Sequence, residues 1–436
     1  MLSYRYILVL INLIPIQIIG QSKISGTYPH LKNKNISMCW TLENCKNYAS
    51  THNINIKEKN INKEISHNNL KQSHLDFLPR LSIGYSHNIN SSYNNGQISL
   101  NTSCVLFDSF RKTFNVKESS CAYNIAETDL KNEKINISLS VTKAYIQILL
   151  SQQILAINME NIESTQRKYN KSEKLFNSGK LAYSYLLNIK AQLVKEKANM
   201  IDASKQLCID KLALMQLMNI PINDNLITNF TIADIEYTSL NKFYKTQDIY
   251  QQALRLPIVR ISELEIEKRT YQLKENLTYF YPSISLSASY GTIFNSAYNI
   301  PYPQQISNNL KVNMIFNIEI PIFTAGANKI RVKNTKLAIN YSILELKRRK
   351  MNLLKEVHQV LYEIRSLKKS IEAANSNLEA MYCSLSYTEE KMITGTVTAT
   401  DYIIAKTNYN KAKAYAAQAH YQYILQIEIL KHFQML

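Results

Sequence analysis

The chain repeats its own landmarks at one fixed separation. Phe107 in "LFDSFRK" corresponds to Phe323 in "IFTAGANK", and Gly179 corresponds to Gly395 at the same separation, which we call the repeat offset. Between these landmarks runs a seam of mostly apolar residues with alternating steps of four and three, which is the spacing of a coiled-coil helix. The seam over residues 141–169 keeps its register one repeat offset later, over 357–385. The sequence therefore predicts an internal two-fold duplication with one long helical hairpin in each copy.

The helices of these hairpins are predicted to be unusually long. We expect helices from about 109 to 177 and from about 325 to 393, followed by turns at Gly179 and Gly395 and by return helices. At 1.5 Å per residue, such a helix spans roughly 100 Å. A compact domain does not need this length, so the sequence predicts an elongated molecule.

Each copy also begins with a shorter helix and a pair of alternating strands. The helices are predicted over 41–76, with Thr41 as N-cap, and over 246–278. The strand segments are 81–86, 97–104, 283–290 and 310–320, and the residues 299–309 before the last of them have the composition of a loop. One polar face carries a serine at every second position: Ser283, Ser285, Ser287 and Ser289. This period of two predicts strands with one polar and one apolar face.

The N-terminus has the pattern of a secretory signal peptide. Arg5 supplies a positive charge, the apolar run over 7–14 is too short to span a membrane, and Ile18-Ile19-Gly20 forms a cleavage site. The predicted organisation is therefore a signal peptide over 1–20, a first structural repeat over 21–219, a linker or equatorial segment over 220–245, and a second structural repeat over 246–436.

Alternating strands fit two environments, a half-buried soluble sheet or a membrane with lipid on one side and a watery lumen on the other. We favour the membrane, because the neighbouring helices run away from the strands and leave the apolar face without a core. Open strand edges are not tolerated in lipid, and four strands cannot close a barrel alone. Self-association is therefore expected, and three copies supply twelve strands. The four serines then face the lumen.

Charge and motifs exclude other classes of function. The formal charge is +18, but the basic residues are spread along the chain, often four residues from an acid, and "ELKRRK" (345–350) is the densest group. We interpret them as solvated helix faces and predict no nucleic-acid partner. No nucleophile, phosphate-loop, dinucleotide or zinc motif occurs, so we predict no enzyme activity and no catalytic, cofactor-binding or metal residues. A Cys39–Cys45 bridge and free thiols both stay open.

Besides the two tip glycines, four stretches of the chain are distinctive: "WTLENCKNYAS" (40–50), "FLPRLSIGYS" (77–86), "FYPSISLSASYG" (280–291) and "IPIFTAGANKIR" (320–331). Through these stretches, and over essentially the whole mature chain, the sequence resembles the TolC-type outer-membrane efflux proteins. The resemblance implies a fold of α plus membrane β. Four strands per protomer would contribute to a trimeric 12-stranded barrel in the cell outer membrane, and long coiled-coil helices would form a periplasmic α-barrel.

The same resemblance implies a function and partners. It implies a passive outer-membrane exit duct of a tripartite efflux pump or type I secretion system. The homotrimer would lie in outer-membrane lipid and receive cargo from a periplasmic adaptor (membrane fusion) protein and an inner-membrane RND or ABC transporter. A periplasmic adaptor-like or scaffold coiled-coil protein without a membrane barrel stays open as the alternative. The sequence does not identify the cargo.

The family pattern also assigns residues. Its strand-to-helix turn usually has proline before the phenylalanine and glycine after it, which are Pro321 and Gly326 in the second copy. Val105 and Phe110 stand at these positions in the first copy. Asp401 matches an acid that forms a cation-attracting ring at the periplasmic pore entrance of some members. An equal alternative is that Asp401 is only a carboxylate at the start of a helix, where the helix dipole stabilises negative charge.

Other tip positions depart from the family pattern. Ile404 stands where a second acid ring would be. In family members whose periplasmic tip is held closed, a tyrosine, an arginine and an acid form the contacts that close it. The corresponding residues here are Met392, Val397 and Tyr185. Any gating must therefore use other contacts.

Overall fold

The structure, a computed structural model, describes residues 39–89, 94–222, 227, 230–234, 245–297, 300–393 and 396–434. The predicted signal peptide over 1–20, the tip residue Gly395 and most of the predicted linker over 220–245 lie outside these residues.

The described elements alternate helices with strands twice along the chain. The helices are α1 (Leu42–His52), α2 (Ile54–Leu75), α3 (Arg111–Asn177), α4 (Tyr183–Met218), α5 (Thr246–Ala253), α6 (Pro257–Thr278), α7 (Tyr302–Asn308), α8 (Ala327–Ile393) and α9 (Ala399–Gln434). The strands are β1 (Cys39–Trp40), β2 (Arg80–Ile89), β3 (Asn94–Phe107), β4 (Thr231–Ile232), β5 (Ser283–Asn295) and β6 (Lys311–Glu319).

Two long helical hairpins, α3 with α4 and α8 with α9, dominate the fold. α3 and α8 each have 67 residues, and α4 and α9 each have 36. The first and last residues of α8 and α9 lie one repeat offset after the first and last residues of α3 and α4. The predicted long helices over 109–177 and 325–393 are confirmed to within two residues. In the part of the chain that the structure describes, no helix combines the length and hydropathy needed to cross a bilayer.

The two predicted short helices are wrong as single elements. The helix predicted over 41–76 does begin at the N-cap Thr41, but it breaks at Asn53. There the side-chain oxygen accepts hydrogen bonds from the backbone N–H groups of residues 55 and 56 and so caps a second helix. The helix predicted over 246–278 breaks before Pro257, because proline lacks an N–H and disfavours helical backbone at the residue before it.

The loop predicted over 299–309 is also wrong, since α7 forms inside it. Proline lies at the start of this helix, where its missing N–H is not needed. The buried side chain of Gln305 holds the helix to β5. Its amide nitrogen donates to the carbonyl oxygens of Asn295 and Ile300, and its amide oxygen accepts from the Asn295 N–H.

The strands form a four-stranded antiparallel sheet in the order β2-β3-β5-β6. Both predicted hairpins are confirmed: β2 pairs with β3, and β5 pairs with β6. The pairing of β3 with β5, which joins the two hairpins into one sheet, was not predicted. A separate parallel bridge links β1 to β4.

Two hydrophobic cores lie at corresponding positions of the two hairpins. Val141, Tyr145 and Leu214 are buried in the first, with Trp40 and Phe230 packed among them. The residues one repeat offset later are buried in the second: Val357, Leu361 and Leu430. α3 also packs against α2, α6 and α9, and α6 packs against α8. Each core therefore joins the two helices of one hairpin and holds the short helices against it, whereas the packing of α3 on α6 and α9, and of α6 on α8, links the two hairpins.

The cysteines whose side chains the structure describes are free thiols. They are Cys45, Cys104, Cys121, Cys208 and Cys383. Burial in the first core raises the pKa of Cys45 to about 12. Of the two alternatives left open by the sequence, the free thiol therefore holds for Cys45.

Candidate functional site

One face of the four-stranded sheet is apolar and open to the surroundings. A single row across the strands consists of Ile83, Leu100, Tyr290 and Val312, each opposite the next. These side chains are 68%, 37%, 49% and 64% exposed. An apolar row of this width on a folded protein marks a surface that contacts something other than water.

The opposite face of the sheet is polar. The corresponding row there consists of Ser82, Asn101, Ser289 and Asn313. All four predicted serines, Ser283, Ser285, Ser287 and Ser289, share this face because they alternate along β5. A cavity of about 610 Å³ lies against it and is lined by Ser82, Asn101, Ser103, Ser287, Ser289 and Asn313, among others. In these rows, the two faces therefore differ in chemistry from one edge of the sheet to the other.

Both edges of the sheet are open in the described chain. β2 pairs only with β3, and β6 pairs only with β5. Each edge therefore presents a row of unpaired backbone N–H and C=O groups, which is a template for pairing with another strand.

The two strand-to-helix turns have the same backbone geometry despite their different sequences. In the second turn Ala325 and Gly326 have positive φ angles, and in the first Ser109 and Phe110 do. The first turn is held by the hydroxyl of Ser109, which donates a 2.9 Å hydrogen bond to the carbonyl of Pro282. The sheet is thus connected to both long helices in the same way.

Gly179 lies in the turn at the far end of the first hairpin. Its φ angle is 71°, in the left-handed region. Its N–H donates to the carbonyl of Phe176 at 2.8 Å, and the next N–H donates to the carbonyl of Leu175 at 2.9 Å. This pair of bonds is a Schellman motif, which ends the helix and reverses the chain.

Asp401 lies in the first turn of α9, where it forms a capping box with Thr398. Its carboxylate accepts hydrogen bonds from the Thr398 N–H at 2.9 Å and hydroxyl at 2.7 Å, and its own N–H donates to that hydroxyl at 3.2 Å. These bonds favour the charged form and lower the pKa of Asp401 below its usual value. The side chain is exposed, so its charge is available to solvent.

The three tip residues Met392, Val397 and Tyr185 come together only in part. The hydroxyl of Tyr185 donates to the sulfur of Met392 at 2.8 Å and so joins α4 to α8. Val397 is half-buried at the start of the second return helix, and Ile404 is 54% exposed. A hydroxyl–thioether contact therefore joins two of the three tip residues.

A buried charged network crosses between the hairpins near this end. The ammonium of Lys406, on α9, lies 3.3 Å from the carboxylate of Glu196 and 3.0 Å from the carbonyl of Asn161. It also contacts the hydroxyl of Thr165, which in turn donates to Glu196. The amide of Gln192 donates to the same carboxylate at 2.8 Å. Both charged side chains are nearly inaccessible, and burial lowers the pKa of Lys406 despite its anionic partner.

A second charged group lies beside this network. The ammonium of Lys168, on α3, lies 3.3 Å from the carboxylate of Glu389, on α8, and 3.0 Å from the ring centroid of the buried Tyr402. Burial lowers the pKa of Lys168 to about 8. The four long helices thus meet in one polar cluster, which we call the crossing cluster: Thr165, Lys168, Gln192, Glu196, Glu389, Tyr402 and Lys406.

Sequence reasoning missed the crossing cluster. The charge pattern of the sequence predicts that its lysines lie on solvated helix faces, and nothing local distinguishes Lys406 from an exposed lysine. The sequence offers one signal, a difference in residue type between positions that are one repeat offset apart. The residue one repeat offset before Lys406 is also a lysine, Lys190, whereas the residues one repeat offset after Thr165 and Glu196 are Met381 and Ala412.

Comparison with known proteins gives the same architecture. The family model described as outer membrane efflux protein matches residues 49–219 and 249–431. TolC of Escherichia coli (strain K12) is 21% identical over 409 residues, covering 86% of this chain and 78% of TolC. TolC of Salmonella enteritidis is 20% identical over 403 residues with the same coverage.

Solved structures match the fold at low sequence identity. The CmeC outer membrane channel of Campylobacter jejuni aligns with a TM-score of 0.76 at 18% identity, over 90% of this chain and 85% of CmeC. The open state of the MtrE outer membrane channel of Neisseria gonorrhoeae aligns with a TM-score of 0.74 at 18% identity, over 90% of this chain and 88% of MtrE.

Proposed function

The chain belongs to the outer membrane efflux protein family, and on that premise we propose that it forms a passive exit duct as a homotrimer. Its location is the outer membrane, with the helices extending into the periplasm. The alternative of a periplasmic adaptor or scaffold is set aside, because the family model spans both halves of the chain.

The two-faced sheet with two open edges is the observation that carries the proposal. In lipid an open edge leaves backbone groups without partners at a cost of several kcal/mol each, so the sheet must be closed by other copies. Neighbouring strands in the order β2-β3-β5-β6 alternate in direction, so β6 of one copy and β2 of the next can pair antiparallel. Three copies then give a 12-stranded barrel with the apolar rows toward lipid.

The helices support the same ring. Cys121 on α3 is 4% exposed because α6 packs along this helix, whereas its counterpart Leu337 on α8 is 57% exposed. Leu337 belongs to a stripe of exposed apolar residues at heptad spacing on α8: Ile330, Leu337, Leu344 and Met351. A similar stripe on α4 consists of Leu187, Val194 and Ile201. Helices of a neighbouring copy would cover these stripes as the chain's own helices cover the corresponding positions.

The matching hairpins support an internal duplication, with repeats over 21–219 and 246–436 joined by the segment 220–245. Equal helix lengths and a constant repeat offset are expected if two copies of one unit pack around a common axis. Three chains then supply six similar hairpins, which suits a closed ring of helices.

The polar face suits the wall of a water-filled lumen. The side chains of Ser283, Ser285, Ser287 and Ser289 are small and neutral, so they leave the pore wide and bind no particular cargo strongly. We infer that selectivity lies at the far end of the hairpins, where Asp401 of three copies would form a ring of carboxylates at the pore entrance, near the tip turns at Gly179 and Gly395.

We also infer the partners from the family. The far end of the hairpins would dock on a periplasmic adaptor, which links the duct to an inner-membrane RND or ABC transporter. Energy for transport would come from that transporter, in a tripartite efflux pump or a type I secretion system.

Two neighbouring residues on β6 test the proposal. Met314 is 71% exposed on the apolar face, and Asn313 lies on the polar face. Met314→Lys places a charge in lipid at a cost of about 2–4 kcal/mol near the bilayer centre, so heat-sensitive trimers in the membrane fraction should largely disappear. Asn313→Lys should leave the trimers intact and shift the ion selectivity of the purified pore toward anions in a planar bilayer. Equal effects of the two substitutions on assembly would contradict the proposal.

A further inference from the structure

The four helices that adjoin the sheet each carry an exposed lysine at nearly the same level. α2 and α6 lead toward the strands, and Lys71 and Lys274 lie about one turn before the ends of these helices. α3 and α8 lead away from the strands, and Lys117 and Lys333 lie about two turns after the starts of these helices. We call these four residues the lysine ring, because three copies of the chain would repeat them around the proposed duct.

The lysine ring lies on one face of the helical layer. The ammonium groups of Lys117 and Lys274 lie 5.7 Å and 5.3 Å from the ring centroid of Tyr271, so they share a face of α3 and α6. Lys333 lies one repeat offset after Lys117 and so takes the same place on α8. Lys71 lies as far from the end of α2 as Lys274 lies from the end of α6. The duplication therefore places a lysine on this face of every helix in the layer.

The β1–β4 bridge lies against the same face farther along α3. A whole number of heptads after Lys117, this face carries Tyr145. The hydroxyl of Tyr145 donates to the carbonyls of Trp40, in β1, and Ala233, next to β4, at 2.9 Å and 2.6 Å. Three copies of this bridge inside a ring of helices would obstruct the lumen. In the proposed duct, the lysine ring therefore lies on the outer surface.

Exposed apolar side chains separate the lysine ring from the sheet. They lie in the short connections between strands and helices: Phe77, Phe280, Ile322 and Phe323. Ile322 and Phe323 are 95% and 86% exposed. From the sheet to the helices, the exposed chemistry therefore changes from apolar strands through aromatic connections to lysines. This order matches the boundary between the hydrocarbon and the headgroups of a membrane, where aromatic girdles lie.

The ammonium groups of the lysine ring have no acidic partner among the residues that the structure describes. The ion pairs formed by those residues involve other lysines and arginines. Anionic lipid headgroups attract lysines that lie close to a membrane surface, and this attraction falls off within a Debye length of about 10 Å. The lysine ring lies within this distance of the strand-to-helix connections, since each lysine is only one or two helical turns away.

We propose that the lysine ring binds the headgroups of anionic phospholipids in the periplasmic leaflet of the outer membrane. The leaflet follows from the direction of the hairpins, which extend into the periplasm. The occupant follows from the unpaired positive charges and from their position next to the apolar connections. The placement of the ring beside the membrane rests on the proposed barrel.

The chain supplies a matched control for this proposal. Lys131 and Lys347 lie two heptads after Lys117 and Lys333 on the same helices, are exposed, and are also one repeat offset apart. They lie about 20 Å farther from the sheet, which is beyond the Debye length. Lys131 lies 3.8 Å from Glu127 within α3, and an exposed pair of this kind contributes little.

Spin-labelled lipids test the proposal. Trimers are reconstituted in phosphatidylcholine vesicles, and electron spin resonance compares the association of labelled phosphatidylglycerol with that of labelled phosphatidylcholine. We expect wild type to prefer phosphatidylglycerol on the order of threefold at low salt. Lys117→Gln/Lys333→Gln should lose about half of this preference, because two of the four lysines remain, and Lys131→Gln/Lys347→Gln should keep it.

Three results would overturn the lipid site. They are no preference in wild type, an unchanged preference in Lys117→Gln/Lys333→Gln, and equal losses in the two double variants. A larger loss in Lys131→Gln/Lys347→Gln would also overturn it, because the positive face would then act far from the membrane.

The same samples separate this inference from the proposed function. All the substituted lysines are exposed, so each variant should form heat-sensitive trimers on a gel. Absence of trimers in wild type would count against the trimeric duct itself. Intact trimers without a preference for phosphatidylglycerol would leave the duct standing and overturn only the lipid site.

Discussion

Phe110 and Gly326 occupy the same left-handed backbone conformation in the two strand-to-helix turns, with φ angles of 69° and 81°. Only glycine adopts this conformation without steric strain. Ser109 and Ala325 are non-glycine residues at positive φ in both turns, so the first turn differs from the second by the additional strain at Phe110. The ring of Phe110 is 64% exposed and makes one edge contact with Phe107, so its own packing offsets little of this strain.

We predict that Phe110→Gly stabilises the protein by about 1 kcal/mol, because it removes the left-handed strain. Gly326→Ala should destabilise it by about 1–2 kcal/mol. A β-carbon at Gly326 would meet no atom within 4 Å, so the backbone alone sets this effect. Denaturant unfolding of both variants measures the changes. A loss of stability in Phe110→Gly would show that the ring's contacts outweigh the strain.

Gly96 provides a test of packing at the loop end of the sheet. A β-carbon there would lie 2.1 Å from the ring of Phe294, which packs between His87 and Tyr302. We expect Gly96→Ala to displace this ring and to destabilise the protein by about 1–3 kcal/mol.

Gly84 is the control for this substitution. Its β-carbon would make an ordinary contact of 3.5 Å with the hydroxyl of Ser99, so Gly84→Ala should leave the thermal unfolding midpoint nearly unchanged. Equal shifts in the two variants would show that the position of Phe294 does not depend on the glycine.

The long helices and the strand faces could be predicted because their signals are periodic. A heptad seam that ends at a glycine predicts where the 67-residue helix α3 ends. A period of two predicts that Ile83 and Ser82 lie on opposite faces of the sheet. Periodicity averages over many residues, so single exceptions such as Ile315 on the polar face do not disturb it.

The remaining features depend on single side chains or on distant contacts. The break at Asn53 rests on one capping amide within an otherwise helical pattern. The pairing of β3 with β5 joins strands from the two halves of the chain, and no local pattern specifies it. Lys406 and Glu196 are also far apart in the sequence. Only their burial in the folded protein gives this lysine a structural role.

Asp401 is predicted to act through both its charge and its hydrogen bonds. Asp401→Asn keeps an oxygen acceptor for Thr398 but removes the charge, so the pore should lose cation preference while the start of α9 stays ordered. Asp401→Ala should lose both, with faster hydrogen exchange over the first turn of α9. Reversal potentials in a salt gradient and exchange of those amides measure the two effects. An unchanged reversal potential in Asp401→Asn would eliminate the carboxylate ring.

The pH dependence of the pore follows from the same contacts. Hydrogen bonds from Thr398 lower the pKa of Asp401, so its carboxylate stays charged to a lower pH than an ordinary aspartate. The stabilisation it gives to α9 is present above the ordinary aspartate pKa and is lost as pH falls through the lowered value. We therefore expect cation preference to persist below about pH 4 in wild type. Loss of preference at a higher pH would indicate that another acid sets it.

Lys168 should make stability depend on pH in the alkaline range. Its pKa is about 8 in the folded protein, below the ordinary lysine value of 10.5, because burial disfavours the ammonium. Between these values the unfolded chain binds more protons than the folded one, so the free energy of unfolding rises with pH from about 8 toward 10.5. Thermal unfolding midpoints across this range should rise in wild type.

Lys168→Met removes the titrating group and should flatten this rise, although the buried Lys406 retains a contribution of the same sign. Lys174→Met, farther along α3 and exposed, is the control and should keep the wild-type slope. A rise of the same steepness in Lys168→Met would assign the titration to Lys406 alone. A fall in stability over the same alkaline range in wild type would mean that the ammonium of Lys168 is stabilised in the folded state, and that its contacts with Glu389 and Tyr402 outweigh its burial.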